Sequence, residues 1–264
     1  MNNETKLVTK KDLVDFFTKL GIKPGMIVEV HASLKNIGYI CGGAETFNDA
    51  LIEVLGYGGT IIMPMHCAEN TDPTYFENPA ISFEDMNRYR ANMPVFDAFK
   101  SETYMMSKIV DNLRRREKSV VSEHPNVAFV ALGKYAKLLC NHQNLDFGLG
   151  EESPLGRLYG LKAHCLLVGV DYDSMTSMHL AEYKTEIRPI IMNGAAILEN
   201  GHRHWSKYLD FDLNSDDGFN EIGKHLEDKK LVQIDYLNEA KCRLLRIDTA
   251  VDEGIKYYRE RVKL

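Results

Sequence analysis

The feature that most constrains the fold is an apolar run, Cys165–Val170, that is followed directly by a polar turn. A short continuous run of this kind is typical of a strand buried in a parallel sheet. Similar runs at 26–31, 58–65 and 127–132 are separated by helical patterns, and Asn200-Gly201 predicts a hairpin between 190–198 and 202–211. Helices are predicted at 10–20, 46–55, 102–116, 134–142, 219–228 and 250–262, and further strands at 231–236 and 242–247.

The order of these elements predicts an α/β protein. We expect a layered α/β/α core with a mainly parallel sheet, in a single domain spanning residues 1–264. Beyond Pro189 the pattern changes, which predicts a smaller α+β lobe at about 189–240.

His179 lies just after the polar turn of Asp173, Ser174, Thr176 and Ser177. Ligands of open α/β folds bind at the carboxyl ends of the strands, and this turn follows such an end. The turn residues favour a helix start, so His179 is expected in the first turn of a helix. A neutral histidine there is able to accept a proton, although its position alone favours a packing role.

Composition excludes several classes of protein. The net charge of −6 argues against nucleic acid and is favourable for a cationic ligand. No apolar run is long enough for a membrane span, and the amino terminus lacks a signal-peptide pattern, so we expect a cytoplasmic protein that does not bind membranes. Five scattered cysteines predict reduced thiols, with neither a disulfide framework nor a metal site.

Two further segments are candidates for ligand binding. Gly42-Gly43 precedes a predicted helix, where bare backbone N–H groups bind anions such as phosphate, although glycine pairs also mark simple turns. The long segment 66–94 is rich in acidic and aromatic residues. This composition suits a polyamine and equally suits a solvated loop.

Several motifs, in this order, closely resemble the aminoglycoside N(3)-acetyltransferase family. They are His31–Gly38 with Cys41–Gly43, Gly59–Pro64, Met93–Asp97, Ser122–Pro125, Gly150–Tyr159 and Thr176–Tyr183. The resemblance implies transfer of an acetyl group from acetyl-CoA to an amine, usually the 3-amino group of a 2-deoxystreptamine aminoglycoside, and a role in antibiotic resistance. It implies no metal, and we expect a monomer or a homodimer.

The resemblance also implies the roles of individual residues. His179 is expected to be the general base, oriented by Asp210 or Asp212, with Thr176 or a backbone N–H donating to the developing oxyanion. The acetyl-CoA site is expected to contain His31, Ser33, Leu34, Ile37, Gly42, Gly43, Ser153, Leu155 and Arg157. The candidates for the amine pocket are Asp72, Glu77, His124, Glu151 and Glu182.

Four alternatives remain open from the sequence. The first is the same chemistry on a different amine, and the second is Cys67 as a thiol nucleophile with His66 or His124. The third, a metal hydrolase built on His31, His66 and His124, lacks the usual ligand spacing. The fourth is a protein that binds CoA without catalysing any transfer.

Overall fold

Helices and short strands alternate along the computed structural model, which describes residues 6–67, 70–75, 80–104, 106–213 and 218–262. The helices are α1 (Lys10–Leu20), α2 (Gly43–Leu55), α3 (Phe83–Asn92), α4 (Lys108–Arg114), α5 (Ala136–Cys140), α6 (Pro154–Gly160), α7 (His179–Thr185), α8 (Phe219–Asp228) and α9 (Ile247–Val262). The strands are β1 (Leu7–Val8), β2 (Ile27–Ala32), β3 (Tyr39–Ile40), β4 (Thr60–His66), β5 (Val120–Val121), β6 (Val127–Gly133), β7 (His164–Val168), β8 (Ile190–Glu199), β9 (His202–Phe211), β10 (Val232–Leu237) and β11 (Ala240–Arg246).

The first helix shows how local signals fix an element. Thr9 and Asp12 form a capping box, which satisfies backbone N–H groups at the start of α1. Gly21 ends the helix with a φ of 111°, a left-handed conformation that glycine adopts without strain. The predicted bounds of α1 are therefore confirmed.

The central sheet has seven strands in the order β10-β11-β7-β2-β4-β6-β5. Only β2 with β4 and β2 with β7 are parallel, and the other pairings are antiparallel. The α/β class is confirmed, but the prediction of a mainly parallel sheet is wrong. Short turns join β5 to β6 and β10 to β11, and a parallel pair needs a longer crossover connection.

Apolar side chains fill both faces of this sheet. One core contains residues of α1, α2 and α4, including Phe17, Phe47 and Leu113. The other contains residues of α5 to α9, including Phe219 and Leu180. The sheet is thus covered on both sides, as expected for an α/β/α arrangement.

The carboxyl-terminal part differs from the predicted α+β lobe. β8 and β9 form a separate hairpin, closed by Asn200 and Gly201 with φ values of 51° and 79°. Both angles are positive, as a two-residue hairpin turn requires. β10 and β11 instead continue the main sheet because β11 pairs with β7, so the predicted lobe boundary does not separate a second core.

Two other predictions about helices are corrected. α4 covers only Lys108–Arg114 of the helix predicted at 102–116. The glycines of the segment 146–159 are typical of a loop and predict no helix there, but Pro154–Gly160 forms α6, with Ser153 accepting a hydrogen bond at its N-cap. Proline is favoured in the first turn of a helix, and this outweighs the two glycines.

Candidate functional site

The carboxyl ends of three parallel strands meet at one edge of the sheet. There β2 ends with His31 and Ala32, β4 ends with His66, and β7 leads into the turn before His179. A cavity of about 320 Å³, called here the first cavity, opens between these ends and the start of α4. It is lined by Val30, His31, Ala32, Pro64, His66, Met106, Ser107, Ile109, Val110, Val170, Asp173, Ser174, Thr176 and His179.

His179 is the first residue of α7, as predicted, and its ring is held on two sides. The Nδ1 atom lies 2.5 Å from Oε2 of Glu182, one turn further along the helix. The ring packs edge-on against Phe219 of α8, with 4.8 Å between centroids. No hydrogen-bond partner of Nε2 is found in the described part of the chain, so this nitrogen is available at the cavity wall.

Glu182 is the carboxylate that orients His179. Its side chain is 0% exposed, and its other oxygen, Oε1, accepts a hydrogen bond of 2.6 Å from Nε of Arg188. The guanidinium occupies one oxygen of the carboxylate, and the other oxygen accepts the Nδ1–H of the imidazole. This fixes the tautomer in which Nε2 carries the lone pair.

In this structure the carboxylate bonded to Nδ1 of His179 is Glu182, and neither Asp210 nor Asp212 makes that contact. Asp210 accepts a 2.5 Å hydrogen bond from the hydroxyl of Tyr183. Burial raises the pKa of Asp210 above its ordinary value. Asp212 follows β9 and its backbone N–H bonds to Pro189. The signal for Glu182 was present in the sequence, because residues three apart on a helix are neighbours.

A second cavity, of about 410 Å³, lies between the β8-β9 hairpin and the segment after β4. His66 and Met106 line both cavities, which places the two spaces side by side. The walls of the second cavity are largely aromatic and apolar, with Asp210 as a carboxylate. The lining residues are His66, Thr71, Tyr75, Tyr104, Met106, Asn126, Val127, Ile191, Asn193, Tyr208, Asp210, Phe211 and Leu213.

Most of the carboxylates predicted for the amine pocket already have partners. Arg90 holds Asp72 through bonds of 2.8 and 3.0 Å, and Lys184 pairs with the exposed Glu151. Both oxygens of Glu182 are occupied, as described above. These three carboxylates are therefore already paired with cations or donors of the chain, and their contact with the amine stays a prediction. Glu77 lies outside the described residues.

His124 lines a third cavity, of about 410 Å³, together with Phe96, Pro125 and Ala196, and both of its ring nitrogens have partners. Its Nδ1 accepts hydrogen bonds from the backbone N–H groups of Asn126 and Val127, and its Nε2 donates to the carbonyl of Leu145. Burial lowers its pKa to about 4. With both nitrogens occupied, the ring holds a turn and is unavailable as an acid, a base or a metal ligand.

The residues predicted for acetyl-CoA fall into two groups. Ser33 and Leu34 directly follow β2, and Gly42 and Gly43 are the N-cap and the first residue of α2, so these residues lie on the chain leaving β2. Ile37 is nearby, but its side chain is 0% exposed. The structure does not bring Ser153, Leu155 or Arg157 to the first cavity: Ser153 caps α6, Leu155 is 0% exposed, and Arg157 donates to the carbonyl of Leu139.

A carboxylate, an imidazole and a thiol meet beside the first cavity. The donor atoms of Glu29, His31 and Cys165 lie within 4.8 Å of one another. Burial, and then Glu29, raise the pKa of the Cys165 thiol well above its ordinary value, so the sulfur stays protonated. Carboxylates, imidazoles and thiols are all side chains that bind zinc, and a bound metal would itself deprotonate the thiol. The group is therefore a buried carboxylate–imidazole–thiol cluster beside the first cavity.

Cys67 lacks the features of a reactive nucleophile. Its side chain is buried, and burial raises its pKa to about 11. Thiolates react and thiols do not, so activation would require a nearby cation or base. The thiol instead lies near the carbonyl of Met65.

Comparison with known proteins places the whole fold in one family. The family model described as aminoglycoside 3-N-acetyltransferase matches residues 30–259. An SPbeta prophage-derived aminoglycoside N(3')-acetyltransferase-like protein, YokD, of Bacillus subtilis is 38% identical over 95% of this chain and 92% of its own length. The aminoglycoside N(3)-acetyltransferase IX of Micromonospora chalcea is 32% identical over 93% of this chain and 86% of its own length.

Solved structures agree with the sequence comparison. The crystal structure of YokD superimposes with a TM-score of 0.93 at 37% identity and covers 98% of this chain and 96% of its own. The aminoglycoside acetyltransferase AAC(3)-Xa gives a TM-score of 0.89 at 29% identity, with 96% and 93% covered. Among the described residues of this chain, no helix combines the length and the apolar character needed to cross a membrane.

Proposed function

Because this chain belongs to the aminoglycoside 3-N-acetyltransferase family, we propose that it transfers the acetyl group of acetyl-CoA to the 3-amino group of a 2-deoxystreptamine aminoglycoside. The physiological consequence we propose is resistance to that antibiotic. The observation that carries the proposal is the His179–Glu182–Arg188 chain at the first cavity.

In this mechanism His179 is the general base. The attacking amine must lose a proton as its nitrogen bonds to the thioester carbon, and Nε2 of His179 accepts it. Glu182 then stabilises the imidazolium that forms, because the buried carboxylate faces Nδ1–H. The hydroxyl of Thr176, which lines the same cavity, or a backbone N–H is proposed to donate to the developing oxyanion.

The first cavity has a lining that suits the arm of acetyl-CoA. The hydroxyl-bearing residues Ser107, Ser174 and Thr176 alternate with the apolar Val30 and Ile109, which matches a chain of amides and methylenes. His31, Ser33 and Leu34 are proposed to border this arm. Gly42 and Gly43 at the start of α2 are proposed to bind the pyrophosphate through their backbone N–H groups.

The second cavity is proposed to bind the acceptor amine. Asp210 lies in its wall, and a carboxylate there favours a cationic ring substituent. Tyr75, Tyr208 and Asn193 supply groups that exchange hydrogen bonds with sugar hydroxyls.

The lining of the second cavity also favours a second candidate, the same transfer to an amine that carries fewer charges. Asp72 is neutralised by Arg90, and Asp210 is the only acidic side chain among the lining residues in the described part of the chain. A multiply charged aminoglycoside requires several carboxylates for its ammonium groups, whereas a less charged amine requires one.

The test is thiol release from acetyl-CoA across a panel of aminoglycosides and simple amines. We expect release that depends on an aminoglycoside and falls about 100-fold or more in His179→Ala, with product mass spectrometry locating the acetyl group. His142→Ala, an exposed histidine outside both cavities, is the matched control. Release only with simple amines would favour the second candidate, and release that persists in His179→Ala would refute the proposed base.

A further inference from the structure

The buried cluster of Glu29, His31 and Cys165 contains polar atoms that lack partners. The side chains of Glu29 and His31 are 0% and 8% exposed. Neither carboxyl oxygen of Glu29, nor Nε2 of His31, forms a hydrogen bond with any group in the described ranges. A buried carboxyl group without hydrogen bonds is unfavourable in either protonation state, so the cluster lacks a compensating group.

The central sheet brings the three side chains together. Glu29 and His31 are two residues apart on β2, so their side chains point to the same face of the sheet. Cys165 is the neighbour of Glu29 on the parallel strand β7. One possible ligand atom from each residue lies within 4.8 Å of the other two. Because Cys165 is far from the other two along the chain, no ligand motif is visible in the sequence.

The spacing of these atoms fits a metal ion better than a hydrogen bond. Oε1 of Glu29 is 3.3 Å from Nε2 of His31. Both atoms nevertheless lack a hydrogen-bond partner among the residues that the structure describes, so they do not point at each other. Two ligand atoms at 2.0–2.1 Å from a tetrahedral zinc ion are separated by about 3.3–3.4 Å. The observed separation therefore matches one edge of such a coordination sphere.

The neighbouring charged groups do not take the place of a metal ion. In the described part of the chain, no lysine or arginine is paired with Glu29. Burial is the main cause that lowers the pKa of His66 on β4 to about 4, so this ring supplies no positive charge at neutral pH. His179 is bonded to Glu182. A cation from solution is thus the remaining source of compensation.

The ligand types indicate which cation fits. Imidazole nitrogen, thiolate sulfur and carboxylate oxygen are the ligands of zinc sites. Magnesium and calcium prefer oxygen ligands, so an imidazole and a thiol disfavour them. Three protein ligands leave the fourth position of a tetrahedral zinc ion to water. His31 also lines the first cavity, from which water has access to the cluster.

The cluster points to a metal site, and we propose that Glu29, His31 and Cys165 bind one Zn²⁺ ion per chain. The Cys165 thiol releases its proton to solvent as its sulfur binds the ion. The ion compensates the buried carboxylate, joins β2 to β7 and fixes the ring of His31 at the wall of the first cavity. This site is separate from His179 and goes beyond the proposed function.

The first test is a calorimetric titration of the full-length protein with zinc, after a chelator has removed bound metal under reducing conditions. We expect one Zn²⁺ per chain. Glu29→Gln and Cys165→Ser should each weaken binding about 100-fold or more, since loss of even an outer-shell partner costs about 10–100-fold. The matched control is Cys242→Ser, which removes a buried thiol of β11 outside the cluster and should leave zinc affinity unchanged.

The second test identifies the thiolate ligand from a spectrum. Cobalt(II) is titrated into metal-free Cys41→Ser, which lacks the exposed thiol of the chain. We expect a thiolate-to-cobalt charge-transfer band in the near ultraviolet and the intense visible bands of a tetrahedral ion. Both should disappear when Cys165→Ser is added. Circular dichroism and urea denaturation of each metal-free variant show whether its fold is retained.

The outcomes separate the metal site from the proposed function. The inference is overturned if the wild type binds no zinc, or if folded Glu29→Gln and Cys165→Ser bind zinc as tightly as the wild type. Zinc binding that is lost in Cys41→Ser, or a cobalt complex without the thiolate band, also overturns it. Because neither readout uses turnover, a failure of acetyl transfer would reject the proposed function and leave the metal site standing.

Discussion

Replacing Glu182 with glutamine tests whether this carboxylate sets the tautomer of His179 in addition to stabilising the fold. The wild-type carboxylate accepts from Nδ1 of His179 at 2.5 Å and from Nε of Arg188 at 2.6 Å. An amide has one acceptor oxygen, and the guanidinium of Arg188 attracts it most strongly. The amide NH2 group then faces Nδ1, which must become an acceptor, and the ring proton moves to Nε2.

The size of the effect follows from these two contacts. A hydrogen bond to a charged group contributes roughly 1.5–3 kcal/mol and one between neutral groups roughly 0.5–1.5 kcal/mol. Because Glu182→Gln keeps both contacts but removes the charge, we expect it to lose about 2 kcal/mol of unfolding free energy. Loss of the basic nitrogen at the cavity should lower kcat by about 10² to 10⁴. Glu182 lines neither cavity, so KM for both substrates should change by less than about threefold.

The matched control is Glu253→Gln on α9. Glu253 is also a largely buried carboxylate between two cations, Lys229 and Lys256, but it lies away from both cavities. Urea denaturation should show a comparable loss of stability, and the thiol-release assay should show an unchanged kcat. A kcat of Glu182→Gln within about tenfold of the wild type, or an equal fall in the control, would refute this account.

Three further predictions concern pH, packing and thiol chemistry. Burial lowers the pKa of His124 to about 4 against 6.5 in the unfolded chain, so its contribution to stability is present above pH 6.5 and is lost as the pH falls towards 4. This amounts to about 2 kcal/mol by pH 5, and His124→Asn should remove that part of the pH dependence of unfolding while the exposed His142→Asn retains it. Gly223→Ala places a Cβ against the ring of Tyr172, so it should lower the free energy of unfolding by about 1–3 kcal/mol. It should also reduce kcat, because Tyr172 lies in the turn before His179. The control Gly160→Ala has no atom within 4 Å of its added Cβ, so it should change neither stability nor kcat. Burial raises the pKa of Cys67 to about 11, so we expect Cys67→Ala to keep kcat within about twofold of the wild type. Intact-mass measurement of the wild type with acetyl-CoA should find no acetyl-enzyme. A covalent acetyl group on Cys67 would contradict this prediction.

Several helices and turns were predictable because a few neighbouring residues fix where each of them begins or ends. The Thr9 capping box and Gly21 fix both ends of α1, and Asn200-Gly201 fixes the hairpin turn. Strand direction has no such signal, since an apolar run fits a parallel or an antiparallel neighbour equally well. The helix at Pro154 was not predicted because its two signals conflict: its glycines are typical of a loop, whereas its proline favours the first turn of a helix.

The same distinction explains which site residues were predictable. His179 follows a strand end and a capping turn, so its position at the edge of the sheet was predicted from the sequence. The partner Glu182 lies three residues further along the same helix, a spacing that would have identified it. The pairing of Asp72 with Arg90 depends on how the irregular segment between them folds, and no periodicity encodes that.

Polar residues inside otherwise apolar strands mark the places where the sequence departs from the rules of packing. In β2 every residue is buried, yet Glu29 and His31 are on the same face, because alternate residues of a strand point the same way. A hydrophobic residue at position 29 would satisfy the sheet at lower cost, so the carboxylate is best explained by the imidazole beside it. Local inconsistency of this kind is expected at functional sites.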